Sequence, residues 1–335
     1  MGEKAFRFIQ WGKESSAGTP VAADTIIMGE AQPIQPDRAP THIEDDVNLR
    51  AMSNRIRIDS RLVSDTLRVP NAYFQVLPLI FSMGVKGGVS SSEQNSSQGD
   101  WLWDFTPSMT ASNTPDTGTI ELGDNIQAFE AEYMMIERIA ISSAIAQGAD
   151  ASPISVEADY FARQWTAVTK TGALSIPTNT AMNGKLSRIW RDTSWAGVGG
   201  TELTSLLRGW DLQILTGNHP KFLGSSSEFF TTTGEGKFEV TLAVDLEGTA
   251  AADTIWDLQQ AGTFSVVRIT VDGPQIGSGD VNNFTIDIGG FWEAVIPLGS
   301  EDRGNNIHTA MLRASYDTTG SLLFQLTTTN TVEAI

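Results

Sequence analysis

The chain has 335 residues, 40% of them hydrophobic, which suffices for a substantial core and excludes a disordered polymer. It contains no cysteine, so disulfides, thiolate metal sites and a cysteine nucleophile are excluded. The formal net charge is −18, with 22 acidic and 13 basic residues in 1–170 and 18 and 9 in 171–335, which argues against DNA binding through clustered Lys and Arg.

Residues 1–14 interrupt their few apolar positions with charges and lack the apolar core of a secretory signal. No run approaches the roughly 20 apolar residues needed to span a bilayer. Synthesis as a soluble cytosolic protein is expected, without membrane binding by the free subunit. Pro20, Pro33, Pro36 and Pro40 make residues 10–53 extended chain and turns. Arg55 to Asp59 alternates as a half-buried strand does, and Pro70 to Phe81 carries apolar residues at helical spacing, predicting a short helix with Gly84 beyond its end. Residues 84–100 are rich in Gly, Ser and Asn and predict a mobile loop that orders against a neighbouring subunit. Trp101, Trp103 and Phe105 then share one face of an extended segment, either packing in the core or anchoring an interface.

Residues 132–145 are apolar enough for a strand buried on both faces, and 154–160 alternate. A weak boundary falls at 170–183, giving domains 1–170 and 171–335. Trp210, Leu212 and Ile214 alternate, a polar insertion covers 217–236, and Phe238 to Leu246 alternate against Lys237, Glu239 and Asp245. Residues 249–261 predict a helix capped by Thr249 and ended by Gly262. Strands are expected at 264–272, 283–288, 308–316 and 321–328. A buried strand followed by an alternating acidic-faced strand recurs (132–145 with 154–160, 206–215 with 238–246), suggesting tandem duplication.

Catalytic patterns are absent. His42, His219 and His308 lie far apart in sequence, and Glu44, Asp45 and Asp46 lack the spacing of a calcium loop. Gly234-Glu235-Gly236-Lys237 has the wrong glycine spacing for a phosphate loop, and Gly277-Ser278-Gly279 fails the nucleophile-elbow spacing. No pair of carboxylates is singled out for glycoside hydrolysis. No enzyme activity, cofactor or metal is expected. Trp101, Trp103, Trp190 and Trp195 leave open a carbohydrate-binding β-module. Between Lys86 and Arg138 there is no basic residue, while acids recur throughout. A solvated polar face explains that run, as does a surface shaped by a charged passenger.

Three stretches carry a resemblance: Trp11-Gly12-Lys13-Glu14-Ser15 with Gly18-Thr19-Pro20-Val21-Ala22-Ala23; Phe105-Thr106-Pro107-Ser108 through Thr119-Ile120-Glu121-Leu122-Gly123; and Phe284-Thr285-Ile286-Asp287 with Leu312-Arg313-Ala314-Ser315-Tyr316-Asp317. In order and spacing they resemble the major tail tube proteins of phages with long, non-contractile tails. The resemblance implies a mainly β fold, a tail-tube-type β-sandwich or incomplete barrel with flanking short helices, here duplicated in tandem. It also implies self-assembly into stacked rings, a trimer with pseudo-sixfold symmetry being favoured over a hexamer. The expected place is the virion tail, with tape-measure, initiation and terminator proteins as partners and DNA passing through the lumen without specific binding; another virion structural protein is an alternative. Candidate lumen-facing acids are Glu121, Glu130, Glu132, Glu137, Glu239, Asp245 and Glu247. Candidate interface residues are Trp101, Trp103 and Phe105.

Overall fold

A computed structural model describes residues 3–146 and 148–335. The strands are β1 (Phe8–Lys13), β2 (Thr25–Ile26), β3 (Arg38–Ile43), β4 (Arg55–Arg61), β5 (Val63–Val69), β6 (Ser92–Glu93), β7 (Trp101–Phe105), β8 (Gly118–Gly123), β9 (Ala128–Ala144) and β10 (Ile154–Ala162). They continue with β11 (Thr166–Val168), β12 (Ser187–Asp192), β13 (Leu207–Leu215), β14 (His219–Lys221), β15 (Thr232–Gly234), β16 (Glu239–Glu247), β17 (Ser265–Gln275), β18 (Val281–Asp302), β19 (Asn305–Ala314) and β20 (Phe324–Asn330). Two α-helices are described, α1 (Leu77–Gly84) and α2 (Ala250–Ala261). The fold is therefore mainly β, with large sheets and short helices, and the main sheet does not close into a barrel.

Two long strands organise it. The first half of β9 pairs with β8 and β11, and its second half pairs with β10 and β13. Likewise β18 begins between β17 and β20 and ends beside β19. Each long strand thus passes from one layer into another, and the second halves are joined through the path β9-β13-β16-β19-β18. This front layer extends through β10 to β5. Strands from either side of residue 170 pair directly, β9 with β13 and β7 with β20.

Alternation explains the front layer. Val240, Leu242, Val244 and Leu246 are buried, while Glu239 before them and Asp245 among them are exposed. Across the β9–β13 ladder, Ile141 faces Leu212 and Ile139 faces Ile214, all buried. Behind this layer lies α1, buried over its whole length, with Gly84 against Ile136 and Ile139 and the Phe81 ring stacked on Phe284 and edge-on to Phe105. An all-round apolar helix is what a core position demands.

Several expectations shift. The helix expected from Pro70 starts later: residues 74–76 form a 3-10 turn, α1 follows, Pro78 sits in its first turn, and Gly84 is its last residue. β4 is a strand but not half-buried, because it pairs only with β3 in a separate two-stranded hairpin. Residues 84–100 carry anchors that composition does not reveal: β6 pairs with β7, and buried Asp100 accepts from Asn95 Nδ2 at 2.6 Å and from the Asp280 amide at 2.8 Å. The second helix matches closely. Thr249 Oγ1 accepts from the Ala252 amide, and Gly262 takes the left-handed conformation at φ 59°.

Leu212→Ala is expected to cost about 2–5 kcal/mol, because it empties a fully buried position on the ladder that joins the halves. Urea unfolding checks this, and a loss below the range would show that the ladder tolerates a cavity.

Candidate functional site

The feature with the most directed chemistry is the outward face of the front layer. Between Arg68 on β5 and Glu293 on β18 it presents Glu157 and Asp159 from β10, Asp211 from β13, and Glu239 and Asp245 from β16. Its cations are engaged. Arg138 lies 2.5 Å from Asp159 and 3.8 Å from Glu157, and Arg68 reaches Glu157 at 3.5 Å. Arg313 lies 3.3 Å from Glu293 and 3.7 Å from Glu239. The hydrogen bond that Arg138 Nε donates to Asp159 raises the Arg138 pKa above its ordinary value. Three guanidiniums share a face with more carboxylates than they can neutralise, and its remaining charge is negative.

The face is polar by strand geometry, since each outward acid alternates with a buried aliphatic residue. Asp245 is fixed by the Thr309 hydroxyl, which donates to it at 2.7 Å. Glu137 occupies the extra position of a bulge, where Arg138 faces Asp159 and Ile136 faces Tyr160. Its pKa is raised by desolvation and by the neighbouring Asp159 carboxylate. Glu247, at the end of β16, pairs with Arg208 at 3.1 Å.

The seven acids named from sequence are not one set. Glu137, Glu239, Asp245 and Glu247 belong to the front layer. Glu121 and Glu130 face each other across β8 and β9 in the layer behind, and Glu121 is buried, accepting from the Thr171 amide at 2.9 Å. Glu132 is buried too, beside the Gln164 side chain, and burial raises its pKa. Buried within the protomer, Glu121 and Glu132 cannot line an open surface, so that expectation is corrected. It assumed that the acidic run follows one exposed face, whereas β9 changes layers within it.

The aromatic interface is corrected likewise. Trp103 and Phe105 are core residues, with Trp103 Nε1 donating to the Val332 carbonyl at 2.8 Å, and only Trp101 of the three is half-buried. Of the four tryptophans named as stacking faces, Trp103 and Trp190 are buried, Trp101 and Trp195 are half-buried, and Trp195 is packed against Gly289 and Gly320.

Sequence reasoning missed the polar side chains that hold the layers. Glu14 is buried and accepts from the amides of Gly18 and Tyr133 and the hydroxyls of Thr117 and Thr119, at 2.7 to 3.0 Å. Its neighbours in sequence are ordinary, so only the later Thr-x-Thr at 117–119 hinted at a buried acceptor. Asp287 receives a two-pronged contact from Arg268, both bonds at 2.7 Å. Glu235, within the glycine-rich stretch, accepts from the Asn113 and Thr114 amides and ties two loops together. Among the described residues no group of three or more His, Asp or Glu side chains is arranged to hold a metal ion, and no helix is long and apolar enough to cross a membrane. No protein-family model matches the chain, and no match was found among curated proteins.

Burial, reinforced by the Glu121 carboxylate opposite, holds the Glu130 carboxyl above its ordinary range. With its folded-state pKa raised, ionised Glu130 costs stability above that value, and the cost fades as pH falls to the unfolded value of about 4.3. Glu130→Gln is expected to stabilise the fold by a few tenths of a kcal/mol at pH 7 and by nothing once pH is below about 4. Denaturation midpoints at the two pH values check this, and an equal gain at both would contradict it.

Proposed function

We propose that the chain is a structural subunit that assembles with copies of itself into stacked rings, forming a phage-type tail tube whose acidic lumen passes DNA. The reading rests on the face just described, together with a repeat in the order of elements. With β2, β6 and β7 set aside as additions, residues 1–170 run through β1, the β3–β4 hairpin, β5, α1, β8, β9, β10 and β11. Residues 171–335 run through β12, β13, the β14–β15 hairpin, β16, α2, β17, β18, β19 and β20, and β13 has no strand as its counterpart in the first series.

The pairings correspond as well. β1 lies beside β8 as β12 lies beside β17, and β8 and β11 flank the start of β9 as β17 and β20 flank the start of β18. Both long strands carry a one-residue bulge as they enter the front layer, with Glu137 at one and Glu293 at the other. This supports two tube-like units per chain, and hence a ring of three chains with pseudo-sixfold symmetry. The match differs from the repeat suggested by sequence pattern, which paired other strands.

The single observation that carries the lumen assignment is an extended acidic sheet face whose arginines are already ion-paired. Such a surface repels phosphates and offers them no free cation, so a DNA molecule slides rather than binds. Particle mass and negative-stain microscopy test the assembly: rings of three chains that stack are expected. A strictly monomeric chain, even at high concentration with tail-initiation proteins present, would contradict it. Glu239→Lys with Asp245→Lys is expected to leave rings intact while slowing DNA passage, with recovery at higher salt as screening grows. Normal passage rates through such tubes would remove these strands from the channel.

A further inference from the structure

We infer that neighbouring copies join by reproducing the β9–β13 junction, the open edge of β18 in one copy taking residues 30–37 of the next. The inference rests on the ring reading above and names the surface through which the ring closes. In the first unit the second half of β9 is flanked on both sides, by β10 and by β13. In the second unit the corresponding half of β18 has β19 on one side and, among the described residues, no strand on the other. That half also exposes Phe291, Ile296 and Leu298, at 42%, 55% and 67%. Along this edge the Glu293 carbonyl accepts from Gln259 Nε2 at 3.5 Å and Pro297 has no amide hydrogen, but no strand covers it, and an edge with exposed apolar side chains is a pairing surface for a partner.

The mate is found by the same correspondence. β13 lies between β16 and β9, so its counterpart must run along β5. Residues 30–37 do so at their two ends, where the Glu30 amide donates to the Arg68 carbonyl at 2.8 Å and the Leu62 amide donates to the Asp37 carbonyl at 3.0 Å; residues 31–36 between them form no strand, and Ile34 is partly buried. No strand lies on their far side among the described residues. Pro33 and Pro36 remove two backbone donors from this segment, which suits an edge that must not pair indiscriminately before assembly.

The register follows by counting. The bulges at Glu137 and Glu293 place Ile296 where Ala140 stands in the first unit. Glu30 opposite Arg68 matches Gly209 opposite Asp245, which places Ile34 where Gln213 stands. Ala140 and Gln213 are direct partners across the internal junction. The intersubunit ladder therefore sets Ile296 against Ile34, and a second copy of this chain is the occupant that supplies it.

The chain has no cysteine, so introduced thiols report on single contacts. When Ile34→Cys and Ile296→Cys are combined, oxidation of assembled protein is expected to yield covalent multimers on non-reducing gels, with each single variant remaining monomeric. Ile296→Asp, at a position exposed in the protomer, is expected to keep the wild-type melting temperature within a few degrees and to lose at least tenfold in ring yield. The overturning result has two parts. Wild-type rings form, yet Ile296→Cys gives no covalent multimer when combined in turn with Gln32→Cys, Ile34→Cys or Gln35→Cys, and Ile296→Asp assembles normally. In that case the junction falls and the ring reading stands. If wild-type protein never forms rings, both fall.

Discussion

Everything in this molecule depends on the antiparallel ladder between β9 and β13. It runs from Gly209 opposite Ala144 to Leu215 opposite Arg138 and makes one continuous sheet from strands that begin far apart in sequence. Its inner side is apolar except at Ser143, with Ile139, Ile141, Leu212 and Ile214 buried against the core that holds α1. Its outer side is polar because a strand cannot bury one face without turning the other outward. The core and the candidate functional surface are thus two consequences of one alternation.

That coupling also explains where the charge resides. An acid on β16 is carried outward by the burial of Val240, Leu242 and Val244, and needs no fold-level accommodation. An acid in the stretch of β9 that belongs to the rear layer is instead carried inward, as Glu132 is, and there desolvation raises its pKa. The net charge of −18 is therefore not spread evenly. Some carboxylates serve as buried hydrogen-bond acceptors, as Glu14 and Asp100 do, and others form the outward face on which arginines are already committed.

Legibility in the sequence followed regularity. β10, β16 and α2 were readable because a strict period, a Thr cap and a terminal glycine all agree with the tertiary environment. β18 was readable only in its first part: bulges near Glu293 and between Ile296 and Ser300 break the period of two, so a strand of 22 residues looked like one of six. The helix α1 was legible as a helix but not in its bounds, because a helix buried on every side has no polar stripe to mark where it begins. Trp103, Phe105, Glu121 and Glu132 show the limit for site residues, since residue type does not say which layer a strand has entered. The correspondence of β9 with β18 emerges from pairing and bulge position, which composition does not encode.

The central claim is that the polar side of the β9-β13-β16-β19 layer faces an enclosed channel built from copies of the chain. A cryo-electron microscopy map of the assembled protein tests it most directly. The account predicts a closed ring of three subunits, with Glu239 and Asp245 on its inner wall. A closed ring with both carboxylates on its outer surface would contradict it.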